Sequence, residues 1–373
     1  MSVTVSPVTS GKDLHAFVTF PWTLYADDPL WVPPLIADVK KIFDPKKHPF
    51  WEHGEIKAFL ARRDGRIAGR IAAIRNTAHE EFHDEKVGFF GFFESENDPE
   101  AAGALFDAVK AYMREQGLPR FRGPMNPSTN EECGFPVEGL QHPPTVMMPH
   151  GRPYYDELLK GLGLVKAKDL LAYDLFGGGN IPERLARGAA LAERKNPDVV
   201  VRPLDMKRFD EDVAKFRTVY NSAWEKNWGF VPMTDAEITH MAKELKPVVD
   251  PGLIMIAEKD GKPVGFGLAL PDLNIALKHA NGRLFPFGLL KMLWHKRKIN
   301  RVRVLVLGVV KEYRRLGIDV IMYRDYFKYG AVKGYDSGEL SWILEDNMAI
   351  RRPLEAFGSK IYKVYRIYEA PAD

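Results

Sequence analysis

Short runs of alternating apolar and polar residues recur along the chain, and they recur twice. Residues 3–8 (VTVSPV) and 199–204 (VVVRPL) both read as strands, because side chains on an extended backbone point alternately to two faces. Each run is followed by a helical stretch and then an aromatic-proline turn, Trp31-Val32-Pro33 in one place and Phe230-Val231-Pro232 in the other. Next come two apolar runs, 58–74 and 255–270, broken in the middle by Asp64-Gly65 and Asp260-Gly261. Asp-Gly between alternating runs predicts a two-residue hairpin, since both turn positions require positive φ. Gly69 and Gly265 occupy the same place in the returning strand.

The parallel continues to the end of each half. Strands are expected near 87–95 and 302–310, helices near 98–116 and 316–333, and strands near 120–124 and 338–344. A closing helix then ends in glycine, at Gly161 and Gly163 in one half and Gly358 in the other, followed by final strands Leu170–Phe176 and Val364–Tyr368. The landmarks are displaced by about 196–199 residues. The pattern predicts two copies of one mixed α/β (α+β) plan, each a mainly antiparallel sheet flanked by helices. The first copy spans 1–176 and carries a long loop at 121–153; the second spans 199–373 and carries an insertion at 271–300. Gly177-Gly178-Gly179 and a charged helix make 177–198 the linker.

Composition narrows the function classes. A length of 373 residues suits two domains. Lys+Arg 53 against Asp+Glu 50 is too even for a nucleic-acid binder, so none is expected as partner. A single cysteine, Cys133, excludes an internal disulfide framework and a multi-cysteine zinc site. No basic stretch followed by an apolar core opens the sequence, and no apolar run approaches the roughly 20 residues of a spanning helix. The expectation is a soluble, cytoplasmic protein. His79-Glu80-Glu81-Phe82-His83 spells the H-E-x-x-H pattern of zinc hydrolases. Its short polar setting lacks the apolar face such a helix buries, so no metal is expected.

The sharpest chemical signal is Val309-Val310-Lys311-Glu312-Tyr313-Arg314-Arg315-Leu316-Gly317-Ile318-Asp319, where an apolar strand turns into a helix. Free N–H groups and the positive end of a helix suit a diphosphate there, a glycine lets backbone approach it, and arginines add charge. Here the chain resembles the GNAT superfamily of acyl-CoA N-acyltransferases, whose phosphate loop reads Arg/Gln-x-x-Gly-x-Gly/Ala. Val309, Arg314 and Gly317 occupy corresponding places, with Lys311 where the family usually has proline. Asn347, an apolar helix, Glu355 and Gly358 are similar to its second mark. The resemblance spans about 199–369 and, through the repeat, extends more weakly over 1–176: two tandem GNAT-like domains, the first a degenerate copy. It implies acyl-CoA as co-substrate, with Leu307, Gly308, Val309, Arg314, Arg315, Gly317, Ile318 and Asn347 at the CoA site.

Catalytic residues do not carry over. Asp319 stands at the last loop position instead of Gly or Ala, Leu354 stands where a tyrosine often serves as acid, and the strand 302–309 has no glutamate. Amine attack on a thioester still needs a base and an acid. Glu345 and Glu138 are the base candidates, Tyr155 and Tyr323 the acids. The first half opens its corresponding helix with Glu96, Asp98 and Glu100, which would repel a diphosphate. Its long loop supplies Asn126 and Asn130 as acceptor-binding candidates. In the second half Tyr220, Trp224, Asn227 and Trp228 fall where the superfamily lines its acceptor site.

The insertion 271–300 sets Lys278, Arg283, Lys291, Lys296, Arg297 and Lys298 against Asp272 alone, a larger excess than the whole chain's +3. Leu284, Phe285, Phe287, Leu289, Leu290, Met292, Leu293 and Trp294 are interleaved with them. A basic, aromatic-rich amphipathic segment suits peripheral contact with an anionic membrane, here the inner membrane surface; a buried lid or a protein interface is the competing reading. The whole pattern resembles the branch of the superfamily that acylates a sphingoid amine with fatty acyl-CoA. The expected activity is therefore acyl-CoA-dependent N-acyl transfer to a primary, lipidic amine. Asp319 and Leu354 keep open a second reading, a non-catalytic tandem domain that binds acyl-CoA or lipid.

Overall fold

The computed structural model describes residues 2–176, 180–224 and 227–373, so the glycine run 177–179 read as a junction lies outside the described residues. The chain forms two compact units, and neither is a continuous stretch. One gathers Met1–Leu170, Asn274–Arg297 and Lys363–Asp373; the other gathers Leu171–Leu273 and Lys298–Tyr362.

The first unit begins β1 (Val3–Pro7), α1 (Gly11–Leu24), α2 (Ile36–Ile42), β2 (Gly54–Arg63), β3 (Arg66–Asn76), α3 (Thr77–His83), β4 (Gly88–Ser95), α4 (Pro99–Glu115) and β5 (Arg120–Gly123). The long loop is not structureless. It holds the short β6 (Met125–Asn126) and β7 (Glu132–Cys133), then β8 (Phe135–Glu138), before α5 (Tyr155–Gly161) and the start of β9 (Val165–Phe176). The other unit continues with α6 (Glu183–Lys195), β10 (Val199–Pro203), α7 (Phe209–Ala223), α8 (Asp235–Leu245), β11 (Ile254–Lys259) and β12 (Lys262–Pro271). After α9 (Asn274–Leu277) and α10 (Gly288–Lys296), which belong to the first unit, come β13 (Arg301–Val309), α11 (Ile318–Lys333), β14 (Ser337–Leu344), α12 (Met348–Ala356) and β15 (Lys360–Pro371).

The two units repeat one strand order. In each, three antiparallel pairings (β1–β2–β3–β4 and β10–β11–β12–β13) are followed by one parallel pairing, β4 with β5 and β13 with β14. Both Asp-Gly hairpins form as expected: Asp64 and Gly65 have φ of 52° and 81°, Asp260 and Gly261 of 51° and 74°. Pairs Arg63↔Arg66 and Lys259↔Lys262 close the turns.

The closing strands are exchanged. Leu170–Phe176 reads in sequence as the end of the first half and Val364–Tyr368 as the end of the second. Instead β5 pairs antiparallel with β15, Tyr368 opposite Gly123, while β9 neighbours β14. The physical reason is that alternation specifies a strand's two faces and says nothing of which open edge it joins. The insertion behaves similarly: Asn274–Arg297 packs with the first unit although it interrupts the second.

In the first unit α4 covers the sheet, packing Leu105, Phe106 and Val109 with Phe90, Phe93, Phe121, Tyr155 and Leu159. In the second, Ile318, Met322 and Tyr326 of α11 pack with Met255, Ala257, Val264 and Val309. The H-E-x-x-H segment forms α3, where the His79 ring is buried, 4.9 Å from Phe89 and 4.4 Å from His83 between centroids. Among the described residues no three His, Cys, Asp or Glu side chains group as metal ligands would, and no helix is long and apolar enough to cross a membrane.

Candidate active site

Strands β13 and β14 run together only briefly. Their parallel register extends from Arg301↔Ser337 to Val304↔Leu340, while β13 continues to Val309, held on its other edge by Gly265↔Val309, Phe266↔Gly308 and Gly267↔Leu307 of β12. Beside this last stretch lies a cavity of about 240 Å³. Its walls come from four places: Leu307, Gly308 and Val309 of β13; Arg314, Asp319 and Tyr323 at and after the turn; Trp224 and Asn227 beyond α7; Asn347, Ala349, Ile350 and Pro353 at and in α12.

The turn that ends β13 is built to deliver the start of α11 to this place. Val310 N–H donates to Val264 carbonyl at 2.9 Å, and the Arg314 Nε–H donates to Val309 carbonyl at 3.1 Å, folding residues 311–316 back on the strand end. Asn196 donates through Nδ2 to Leu316 carbonyl at 3.1 Å. Gly317 then enters the helix at φ 74°, a left-handed conformation that costs a side-chain-bearing residue about 1–2 kcal/mol. A Cβ there would also stand 2.9 Å from the Ala192 methyl, so helix α6 seals the turn from outside. Ile318 is core, leaving its backbone rather than its side chain for a ligand.

Asp319 and Tyr323 are one helical turn apart, so both face the cavity. Burial pushes the Asp319 carboxyl above its ordinary value. Burial, and secondarily the Asp319 charge, pushes the Tyr323 hydroxyl up as well. Opposite them the Trp224 indole presses on the backbone of Gly308. Tyr220 backs that indole at 5.2 Å between ring centroids and meets Phe230 at 5.5 Å.

The residues singled out in sequence therefore divide. Leu307, Gly308, Val309, Arg314, Asn347, Tyr323, Trp224 and Asn227 line one cavity. Arg315 is exposed on the same turn, Tyr220 stands behind Trp224, and Trp228 is half-buried nearby in sequence. Glu345 is half-buried just past β14, its carbonyl accepting from Arg351. The others lie in the first unit. Tyr155 is buried and donates to Glu94 at 2.5 Å, beside Tyr25, which donates to the same oxygen at 2.6 Å. The Asn126 side chain accepts from Phe92 N–H at 2.7 Å, Asn130 sits in the β6–β7 turn, and Glu138 is exposed at the end of β8. In sequence Asp319 stands out only as a misfit to a phosphate loop; its four-residue spacing from Tyr323 is the signal that both face one way.

No family model matches the chain. It is 36% identical over 378 residues to a bacterial ceramide synthase of Caulobacter vibrioides (strain NA1000 / CB15N), covering 98% of this chain and 97% of the relative. It is 37% identical over 372 residues to protein YghO of Escherichia coli (strain K12), covering 96% of this chain and 93% of the relative. Among solved structures, a tandem GNAT protein from the clavulanic acid biosynthesis pathway, without AcCoA, superposes with a TM-score of 0.58, covering 100% of this chain and 99% of that one at 11% identity, a likeness of fold.

Proposed function

Because the chain belongs to the bacterial ceramide synthase family of GNAT-fold N-acyltransferases, we propose that it moves an acyl group from acyl-CoA to the primary amine of a sphingoid-type lipid. The observation that carries this reading is the cavity beside the end of β13 that runs on past its register with β14, which gathers Arg314, Asn347, Tyr323 and Trp224 in one place. Strand edge of this kind accepts an extended ligand as it would another strand. Backbone groups of Leu307–Val309 hold the pantetheine and polarise the thioester carbonyl. The diphosphate takes the N–H groups of Gly317 and Ile318 with Arg314 and Arg315.

The reaction joins the nitrogen of the neutral amine to the thioester carbon, breaks the carbon–sulfur bond and releases CoA thiol, the proton lost by nitrogen balancing the one gained by sulfur. Glu345 takes the proton of the attacking amine by way of solvent, and Tyr323 protonates the leaving sulfur. A hydroxyl with a raised pKa is protonated at neutral pH, as a general acid must be. The reading gives Tyr155 no role, since its hydroxyl is committed to Glu94, and uses neither Glu138 nor Asn126 and Asn130. Trp224 and Asn227, supported by Tyr220 and Trp228, receive the acceptor. A lipidic acceptor resides in a bilayer, so the same reading includes peripheral contact with an anionic membrane through residues 271–300.

Incubating the protein with long-chain acyl-CoA and a sphingoid base should release thiol in proportion to base added, with the amide detected by mass spectrometry. Saturable acyl-CoA binding without amine-dependent thiol release would favour the non-catalytic reading instead.

A further inference from the structure

We infer that α10 and the turn before it form a docking edge that seats on an anionic bilayer, an inference that rests on the lipid-acceptor reading above. The segment that carries α10 is fastened to the first unit by its polar beginning. Asn274 donates through Nδ2 to Pro144 carbonyl at 2.9 Å, Lys278 reaches Pro29 carbonyl, and Trp22 Nε1 donates to the Asn281 side chain at 2.9 Å. Gly282 carbonyl accepts from Ile36 N–H at 3.0 Å, and a Cβ on Gly282 would stand 2.2 Å from the Trp22 ring, so the chain lies directly on that indole. Ala276, Ala280 and Gly288 are buried.

Beyond these anchors the burial pattern inverts. Phe285, Phe287, Leu289, Leu290, Leu293 and Trp294 are exposed, Phe285 by 76% and Trp294 by 66%. Scattered apolar exposure is ordinary; six large side chains within ten consecutive residues are not. Leu289, Leu290, Leu293 and Trp294 fall at spacings that share one side of a helix. The charge around them has one sign: Arg283, Lys291, Lys296, Arg297 and, next in sequence, Lys298, with no Asp or Glu anywhere in 274–298. The Arg297 guanidinium lies 5.9 Å from the Trp294 ring centroid.

That combination selects the occupant. Anionic headgroups pair with the cations while Phe, Leu and Trp enter the headgroup–acyl boundary, which offers apolar depth and negative charge together. An apolar edge meant for a neutral protein partner has no use for a segment whose charges are all basic, and a second copy of the same segment would meet like charge.

Vesicle flotation tests the inference, run beside thiol release with a soluble short-chain amine. The wild-type protein should float with phosphatidylglycerol vesicles, release at high salt, and ignore pure phosphatidylcholine. Phe287→Ser/Trp294→Ser should weaken flotation by about tenfold or more, and Lys291→Glu/Lys296→Glu/Arg297→Glu by about a hundredfold at low salt. These positions are exposed, so both variants should retain wild-type melting and wild-type turnover of the soluble amine. Absence of flotation in the wild type, or equal flotation of all three proteins, overturns the docking edge. So does self-association by light scattering that the variants abolish without any vesicle binding, which would make the edge a protein interface. Failure of the wild type to turn over any amine overturns the acyl-transfer reading, and flotation still decides the edge on its own.

Discussion

The Trp224 indole lies so close to Gly308 that a Cβ on that glycine would stand 2.1 Å from the ring. Two residues 84 positions apart thus set the width of the cavity beside the last residues of β13, past its register with β14. Gly308→Ala should push the indole out of place, with an overpacking cost of about 1–3 kcal/mol and a fall in kcat/KM of about tenfold or more, since small misplacements of reacting groups are expensive. Gly308→Ala/Trp224→Ala should recover the melting temperature but not the acceptor KM. Wild-type kinetics in Gly308→Ala would mean the ring and the reaction are unconnected.

The two helix starts that face a parallel strand pair should respond oppositely to charge change. Arg315 is exposed on the turn before α11, so Arg315→Glu should raise the KM for acyl-CoA while leaving melting nearly unchanged. Asp98 caps α4, accepting from Glu100 and Ala101 N–H, and pairs with Arg63 at 2.7 Å, which holds its carboxyl below the usual range. Asp98→Ala should cost about 1 kcal/mol of stability from the lost cap and leave the acyl-CoA KM alone. Calorimetry and initial rates on the two variants separate these effects; a raised KM in Asp98→Ala would place a CoA contact in the first unit.

What was legible in the sequence follows the range of the interactions involved. Asp64-Gly65 and Asp260-Gly261 were readable because a two-residue turn is fixed by its own backbone needs. The turn that carries Arg314 and Gly317 was readable as a turn because a strand end, a left-handed glycine and a helix start are contiguous. Tyr155 was not, because the carboxylate that claims its hydroxyl, Glu94, is 61 residues away. Asn126 looks like a loop residue free to bind substrate, yet it holds Phe92 N–H from 34 residues away. The exchange of β9 and β15 was beyond reach for the same reason: edge pairing is a tertiary choice.

His79 supplies a pH dependence with a definite sign. Burial, and next the neighbouring His83, lowers its pKa from 6.5 to about 4, although Glu85 lies 3.5 Å away. A group that resists protonation in the fold contributes its full stability above the unfolded value, and that stability is lost as pH falls from about 6.5 towards 4. The total is about 3 kcal/mol. His79→Gln removes the titration, so the drop in urea midpoint between pH 7 and pH 5 should shrink by most of the corresponding amount. An unchanged drop would assign acid sensitivity to the carboxylates instead.

Asp319 is the residue that sets this chain apart from a plain phosphate loop, and its protonation should govern the donor. At the first turn of α11 an ionised carboxylate would repel a diphosphate, whereas a neutral one can donate a hydrogen bond to it. Burial raises its pKa, so the neutral form persists to higher pH than for an ordinary aspartate. As pH climbs through that raised value Asp319 ionises, and the wild-type KM for acyl-CoA should rise several-fold with it. Asp319→Asn keeps the shape and a donor but cannot ionise, so its KM should stay flat over the same range and lie below the wild-type value at the alkaline end. Tyr323 is held up partly by the Asp319 charge, and the substitution should therefore also shift the alkaline limb of kcat slightly downward in pH. Steady-state rates of both proteins across pH, with KM and kcat analysed separately, decide the matter. Parallel KM profiles would show that the Asp319 carboxyl does not face the donor.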